Sequence, residues 1–295
     1  MNAEIVFSVI IPTYNRADRL GNAIASICAQ TEKNWELIIV DDGSTDHTEK
    51  VVSQFSNDQI KYYYKKNEER AIARNFGISK AKGSYITFLD SDDELYPHCL
   101  KEAVYLIDQR QSPEWFHLAY EVKTENEEII RKENNRRGEI NETLITGNHL
   151  SCIGVFVRRD ILANYQFNED PAIIGSEDYI LWIRLAARYP LHYSNVISAC
   201  MHQHQQRSVM NVDLGLLKLR VERSIDIIQG DEHVAGSFGK NQTAFVAHRY
   251  LYLALHLAMG GYTSDALSAL WWAVRAYPKV IMTRKVLAIL KNLIF

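Results

Sequence analysis

The sequence predicts an α/β fold: a mostly parallel central sheet flanked by helices, followed by a C-terminal helical appendage. Over the first hundred residues, short apolar β-branched runs alternate with stretches whose apolar residues recur at helical spacing. The runs are continuously apolar, which suits strands covered on both faces. After about residue 212 the pattern is purely helical. The expected division is therefore residues 1–212 as one α/β domain and 213–295 as a helical region.

The elements follow in order. Ile5–Ile11 is a short strand closed by Pro12, and Ala17–Gln30 carries Leu20, Ile24 and Ile27 at helical spacing. Trp35–Asp41 is a second strand. Ser44 or Asp46 caps the next helix, with Val51, Val52 and Phe55 on its apolar face. Ile60–Tyr64 is a third strand, Ala71–Ala81 a helix and Tyr85–Leu89 a fourth strand. Pro97 opens a helix to about Gln109. The middle is less regular, with strands expected at Phe116–Lys123, Glu128–Lys132 and Ile153–Arg158 and a helix at Ser176–Tyr189. Helices then cover Val212–Gln229, Gln242–Met259, Ser264–Tyr277 and Pro278–Leu293.

Composition excludes several classes. Hydrophobic residues make up 47% and charged residues 23%, which argues against disorder. A net charge of -3 supplies no field for nucleic acid, so no nucleic-acid partner is expected. Cys28, Cys99, Cys152 and Cys200 are widely spaced and form no C-x-x-C pair; they read as reduced, buried thiols. The start of the chain has no basic n-region, and no stretch reaches about 18 consecutive apolar residues. The expected location is the cytoplasm.

Parallel strands joined by crossover helices place ligands beyond their carboxyl ends. Three polar clusters follow such ends: Pro12–Arg16, Asp41–Ser44 and Asp90–Asp93. Asp90-Ser91-Asp92-Asp93 holds three carboxylates that repel unless a cation sits among them. Hard oxygen ligands suit Mg2+ or Mn2+, which are commonly shared with substrate phosphates; the other reading is a solvated acidic turn. Val40-Asp41-Asp42-Gly43-Ser44 either accepts from a base or ribose, or merely caps a helix. The loop after the first strand is neither G-x-G-x-x-G nor a P-loop, so dinucleotide and Walker-type sites lose their support.

Taken in order, Ser8–Arg16, Val40–Ser44, Ala73-Arg74-Asn75-Phe76-Gly77-Ile78 and Gly83–Asp93 resemble the successive signatures of the inverting family-2 glycosyltransferases of GT-A fold. Ser176-Glu177-Asp178-Tyr179-Ile180-Leu181-Trp182 matches that family's E-D motif, and Met201–Ser208 resembles its late histidine motif. The likeness spans roughly residues 5 to 210. It implies that residues 1–212 bind a nucleotide-diphosphate sugar, with uridine favoured, and transfer the sugar to a saccharide or lipid-linked acceptor. It implies Pro12, Tyr14 and Asp42 at the nucleobase, Arg70 and Arg74 near the nucleotide, and Asp90, Ser91 and Asp92 at the ribose and diphosphate. Asp92, Asp93 and His204 are the implied contacts to Mn2+ or Mg2+, with Asp92 and Asp93 as alternatives and with His202 as the alternative to the favoured His204, which could instead touch the diphosphate. Asp178 is the implied general base. An inverting displacement needs a carboxylate to take the acceptor's proton, whereas the residues alone also allow Glu177 and Asp178 simply to complement a helix dipole.

From Ala266 to the end, Arg275, Lys279, Arg284, Lys285 and Lys291 are interleaved with apolar residues and no acid. Such helices suit peripheral contact with the inner face of a membrane, or packing on the catalytic domain or on a second copy in a homo-oligomer. Two other classes are weighed. A sugar nucleotidyltransferase needs a Gly-rich basic loop after the first strand, which Pro12-Thr13-Tyr14-Asn15 is not. A non-catalytic nucleotide-sugar or glycan-binding module does not need both Asp92 and Asp178.

Overall fold

The computed structural model describes residues 6–135, 140–204 and 214–294. In chain order the elements are β1 (Phe7–Thr13), α1 (Leu20–Cys28), β2 (Trp35–Asp41), α2 (Thr48–Val52), β3 (Ile60–Tyr64), α3 (Arg70–Lys80), β4 (Tyr85–Phe88), β5 (Glu94–Leu95), α4 (Cys99–Gln109), β6 (Trp115–Thr124) and β7 (Ile129–Glu133). They continue as α5 (Ile140–Thr143), β8 (Val155–Arg158), α6 (Arg159–Asn164), α7 (Glu177–Ala186), β9 (His192–Gln203), α8 (Leu214–Gln229), α9 (Glu232–Phe238), α10 (Gln242–Met259), α11 (Thr263–Ala276) and α12 (Arg284–Ile294). They fall into two compact units. The first takes the described parts of Met1–Gly138, Leu150–Phe167 and Tyr189–Gln205; the second takes those of Glu139–His149, Asn168–Arg188 and Gln206–Phe295.

The first unit holds the whole sheet, in the order β3-β2-β1-β4-β8-β6-β9-β5, with β7 on β6. β3, β2, β1 and β4 run parallel. β8 is antiparallel to both β4 and β6, and β6 and β9 are parallel. Every residue of β2 is buried, as a strand covered on both faces requires; its one charged residue inside the apolar run, Glu36, accepts from the Ser8 hydroxyl at 2.6 Å. Phe116 stacks on Phe156 at 5.0 Å, and Phe7 meets the same ring edge-on at 5.7 Å. α3 approaches β1 so closely that a Cβ on Gly77 would stand 2.5 Å from Ile10 Cγ2.

Two local expectations change. Pro12 does not close β1, which runs on to Thr13 with Pro12 opposite Val40. Leu89 N–H donates to Ile10 O, so the nitrogen of Pro12 faces the side on which β4 has already ended, and its missing donor costs no ladder bond. Neither proposed residue occupies the N-cap of α2: His47 stands there with no side-chain cap bond, while Asp46, one position earlier, accepts through Oδ1 from the Thr48 N–H at 3.0 Å and the Thr48 hydroxyl at 2.6 Å. Ser44 Oγ instead accepts from Asn15 N–H at 2.8 Å. Neither β9 nor β5 is among the expected strands: the twelve-residue β9 begins in the less regular stretch, and β5, between β4 and α4, is two residues long and too short to show a period. Cys99, Cys152 and Cys200 are buried, whereas Cys28 is half-buried; all four are free thiols.

The second unit is helical and is not one continuous segment beginning at 213. α7 is buried on nearly every side, at Tyr179, Ile180, Leu181, Trp182, Ile183 and Leu185, so it needs partners all round. Tyr179 packs against Phe245 at 6.0 Å. Arg184 and Arg188 both donate to Asp231, at 3.0 and 2.8 Å. Asp231 also caps α9, a helix absent from the sequence expectation. Among the described residues no helix is long and apolar enough to cross a membrane.

Candidate functional site

The loops after β1 and β2 are fastened to each other. Asp42 N–H donates to Thr13 O at 2.8 Å, Asn15 Oδ1 accepts from Thr45 N–H at 2.8 Å, and Asp46 Oδ2 accepts from Ala17 N–H at 3.0 Å. Gly43 has φ +87, and a Cβ there would meet Asn67 N at 2.8 Å, so the turn needs glycine. Asp41 accepts from Tyr62 Oη at 2.6 Å and from Ser44 N–H at 2.7 Å. Burial and Asp41 together push the Tyr62 phenol well above its usual range.

Asp42 is buried, and Lys65 Nζ reaches its Oδ1 at 2.7 Å. Glu68 N–H donates to the same carboxylate at 3.1 and 3.2 Å. Burial works against the Lys65 ammonium, but Asp42 and Glu68 outweigh it and hold the pKa above the usual lysine value. Pro12 is half-buried opposite Val40, and the Tyr14 ring stands exposed on the loop. Arg70 is the half-buried first residue of α3.

The cluster after β4 is held by a different tie on each acid. Arg74, buried and lying over the Phe167 ring at 5.3 Å, donates to Asp90 Oδ1 at 2.9 Å. His204 Nε2 stands 2.8 Å from Asp92 Oδ2. Asp93 is 1% exposed, and its Oδ1 accepts from His202 N–H at 3.0 Å. Ser91 is buried between them. β9 delivers 202–204 here because it pairs with β5, directly after the cluster. Asp90, Asp92 and Asp93 each offer one oxygen, and these oxygens all lie within 4.8 Å of one another. That donor set fits a hard divalent cation. It adds Asp90 to the expected set, and His204 meets it through Asp92. Among the described residues, His204 Nδ1 has no hydrogen-bond partner. Residues 205–208 of the late motif lie outside the described residues.

A cleft of about 260 Å³ opens beside Asp92 and Asp93 and is also lined by Arg19, Asn22, Glu94, Glu125, Glu127 and His202. The sequence reading missed these flanking groups. Glu125 and Glu127 sit in the β6–β7 turn, where no spacing marks them. Arg19 donates to Glu125 at 2.9 Å and holds that carboxyl below its usual range.

Asp178 belongs to the helical unit, on the first turn of α7. Its Oδ1 accepts from Tyr179 N–H at 2.6 Å and its Oδ2 from Asn148 Nδ2 at 3.1 Å. The neighbouring Glu177 is buried and accepts from Gly175 N–H at 2.6 Å, whereas Asp178 is partly exposed. Of the two acids, Asp178 is the one that an incoming group can reach.

Residues 8–165 match the family described as Glycosyl transferase family 2, which is more than half of the 295 residues. An uncharacterized glycosyltransferase of Rickettsia conorii is 36% identical over 189 residues, 61% of this chain. The match spans only 30% of that relative's length. The GalNAc(5)-diNAcBac-PP-undecaprenol beta-1,3-glucosyltransferase of Campylobacter jejuni is 33% identical, over 60% of this chain and 59% of its own. The UDP-Glc:alpha-D-GlcNAc-diphosphoundecaprenol beta-1,3-glucosyltransferase of Escherichia coli is 29% identical, over 62% of this chain and 70% of its own. Among solved structures, S. aureus TarS with UDP-GlcNAc superposes with a TM-score of 0.71 at 18% identity, covering 98% of this chain and 89% of that one. A mannosyltransferase of Pyrobaculum calidifontis with GDP-Man and Mn2+ gives 0.60 at 14% identity, covering 100% and 88%. At these identities the structural matches establish the fold, which is GT-A.

Proposed function

The chain belongs to glycosyl transferase family 2, and from that premise we propose that it transfers a sugar, with inversion, from a nucleoside-diphosphate donor to an acceptor hydroxyl. The observation that carries this reading is the gathering of Asp90, Asp92 and Asp93 within 4.8 Å at the rim of the parallel strands. That edge is where open α/β sheets bind ligands.

Asp90, Asp92 and Asp93 would hold Mn2+ or Mg2+, with His204 fixing the Asp92 carboxylate. A bound ion supplies positive charge to the departing diphosphate. Asp42, immobilised by Lys65 and Glu68 N–H, presents a fixed acceptor to the imide N–H of a uracil base, and Tyr14 offers a ring for stacking. Arg74 orients Asp90, and Arg70 adds charge near the nucleotide. Asp178, aimed by Asn148 and its own helix N–H, takes the proton of the acceptor hydroxyl as that oxygen bonds the anomeric carbon. The bond from that carbon to the diphosphate oxygen breaks, and the nucleoside diphosphate leaves.

A lipid-linked saccharide is the acceptor class we favour, because two relatives bear names that specify such acceptors. The helical unit is suited to work at the cytoplasmic face of a membrane. Trp271, Trp272, Ile281, Met282, Leu287 and Leu290 are exposed on it, among Arg275, Lys279, Arg284 and Lys291. The test of the function is single: Asp178→Asn should bind UDP with Mn2+ as the wild type does, while transfer falls about 10²–10⁴-fold. Wild-type transfer by this variant would remove Asp178 as the base.

A further inference from the structure

The helical unit holds Arg220, Arg249 and Lys285 in one neighbourhood; among the described residues none of the three has a carboxylate ion pair, and Asp178 acts on Arg249 only at longer range. Arg249 of α10 is its floor. It is 6% exposed, its Nη2 lies 3.3 Å from both Ser176 Oγ and Ser224 Oγ, and its guanidinium faces the Tyr179 and Tyr252 rings at 5.4 and 5.3 Å. Among the described residues no ion pair holds it and its Nε has no hydrogen-bond partner; burial and Arg220 work against its charge, and Asp178 offsets them only in part. A guanidinium withdrawn from water ordinarily meets an acid.

Two more cations stand over two bare glycines. Lys285 of α12 donates to Thr146 O at 2.6 Å, and its Nζ lies 3.5 Å from where a Cβ of Gly147 would be. Arg220 of α8, half-exposed, lies against Gly175, whose Cβ would meet Nη1 at 3.3 Å. His149, exposed, stands beside Gly147. The acids at hand are Glu177, committed to Gly175 N–H, and Asp178, held by Asn148 and Tyr179 N–H. The surplus is felt by its members. Burial and Arg249 hold Lys285 below the usual lysine value, and burial, Lys285 and His149 push His248 down to about 4. A role confined to clamping helices through Tyr179 and Tyr252 accounts for Arg249, but not for Lys285 and Arg220.

We propose that Arg220, Arg249 and Lys285, with the N-terminal turn of α7, form an anion subsite for a phosphate or diphosphate carried by the acceptor. Helix N–H groups and cations together are what a phosphate needs. The proposal rests on the reading of Asp178 as the base, since that acid shares the turn and must meet the acceptor hydroxyl.

The test is calorimetry on the full chain with inorganic pyrophosphate and no divalent cation. Wild type should bind it. Arg220→Gln should weaken binding about tenfold, and adding Lys285→Gln should weaken it about tenfold again. Arg220 is half-exposed, so its variant keeps the fold, which an unchanged unfolding midpoint without ligand checks. A separate titration with UDP and Mn2+ separates the two sources of diphosphate. Unchanged UDP affinity in both variants supports the acceptor assignment; an equal loss of UDP affinity assigns these cations to the donor and overturns it. No pyrophosphate binding by wild type, or equal binding by the variants, also overturns it. Failure of UDP to bind wild type would instead sink the donor reading, and the pyrophosphate result would stand on its own.

Discussion

Removing the charge of Asp92 tests the acidic cluster with a sign that a merely solvated turn does not share. Asp90, Asp92 and Asp93 each bring an oxygen within 4.8 Å of the others. At that separation and an effective dielectric of about 20, two carboxylates repel by about 3 kcal/mol. Asp92→Asn preserves shape and one acceptor oxygen for His204 while removing two such repulsions. Arg74 already offsets Asp90 at 2.9 Å, and loss of the charge weakens the His204 contact, so a net relief of about 1–2 kcal/mol remains. Without divalent ions the variant should melt a few degrees above wild type. With Mn2+ the order should reverse: wild type gains about 2.7 kcal/mol at a hundred times its dissociation constant, and the variant gains little. Thermal unfolding in chelator and in Mn2+ reads both halves. A variant less stable than wild type in chelator, or one that keeps the full Mn2+ shift, would refute the reasoning.

Three further outcomes are expected. Lys65→Met leaves Asp42 charged, buried and short of its cation; stability should fall by about 3 kcal/mol and UDP affinity should drop, as denaturant titration and calorimetry will report. His248 is held near 4, below its ordinary 6.5, first by burial and then by Lys285 and His149. The unfolded chain therefore takes up this proton as pH falls through 6.5, while the folded chain waits until about 4. Stability is lost across that window, and His248→Asn should flatten the melting temperature between pH 6.5 and 4. Finally, the protein should float with anionic vesicles at low salt, and Trp271→Ala/Trp272→Ala should abolish flotation; an equal yield of floated wild type and variant rejects the aromatic anchor.

The sequence by itself determined the half-fold whose contacts are nearly local. β1, β2 and β4 with their crossover helices announce themselves because these strands are buried on both faces, and apolar continuity is a property of the chain alone; β3, at the sheet edge, is only partly covered. The same reasoning placed Asp42, Asp90, Asp92 and Asp93 on one rim, since strand direction and the position of each loop fix that edge. Pairings between distant segments were decided only in three dimensions. The resemblance linked His204 to the acidic cluster, but no periodicity near His202 and His204 tells that β9 will lie against β5 and bring them to Asp93 and Asp92, more than a hundred residues earlier. Lys65 becomes the partner of Asp42 only because β3 pairs with β2. Arg249, Lys285 and Arg220 come from three separate helices, and α7 joins them in the helical unit instead of the sheet unit that its chain position suggested. Periodicity records which face of an element is buried; which partner buries it is set by packing, and there the charges of this chain acquire their neighbours.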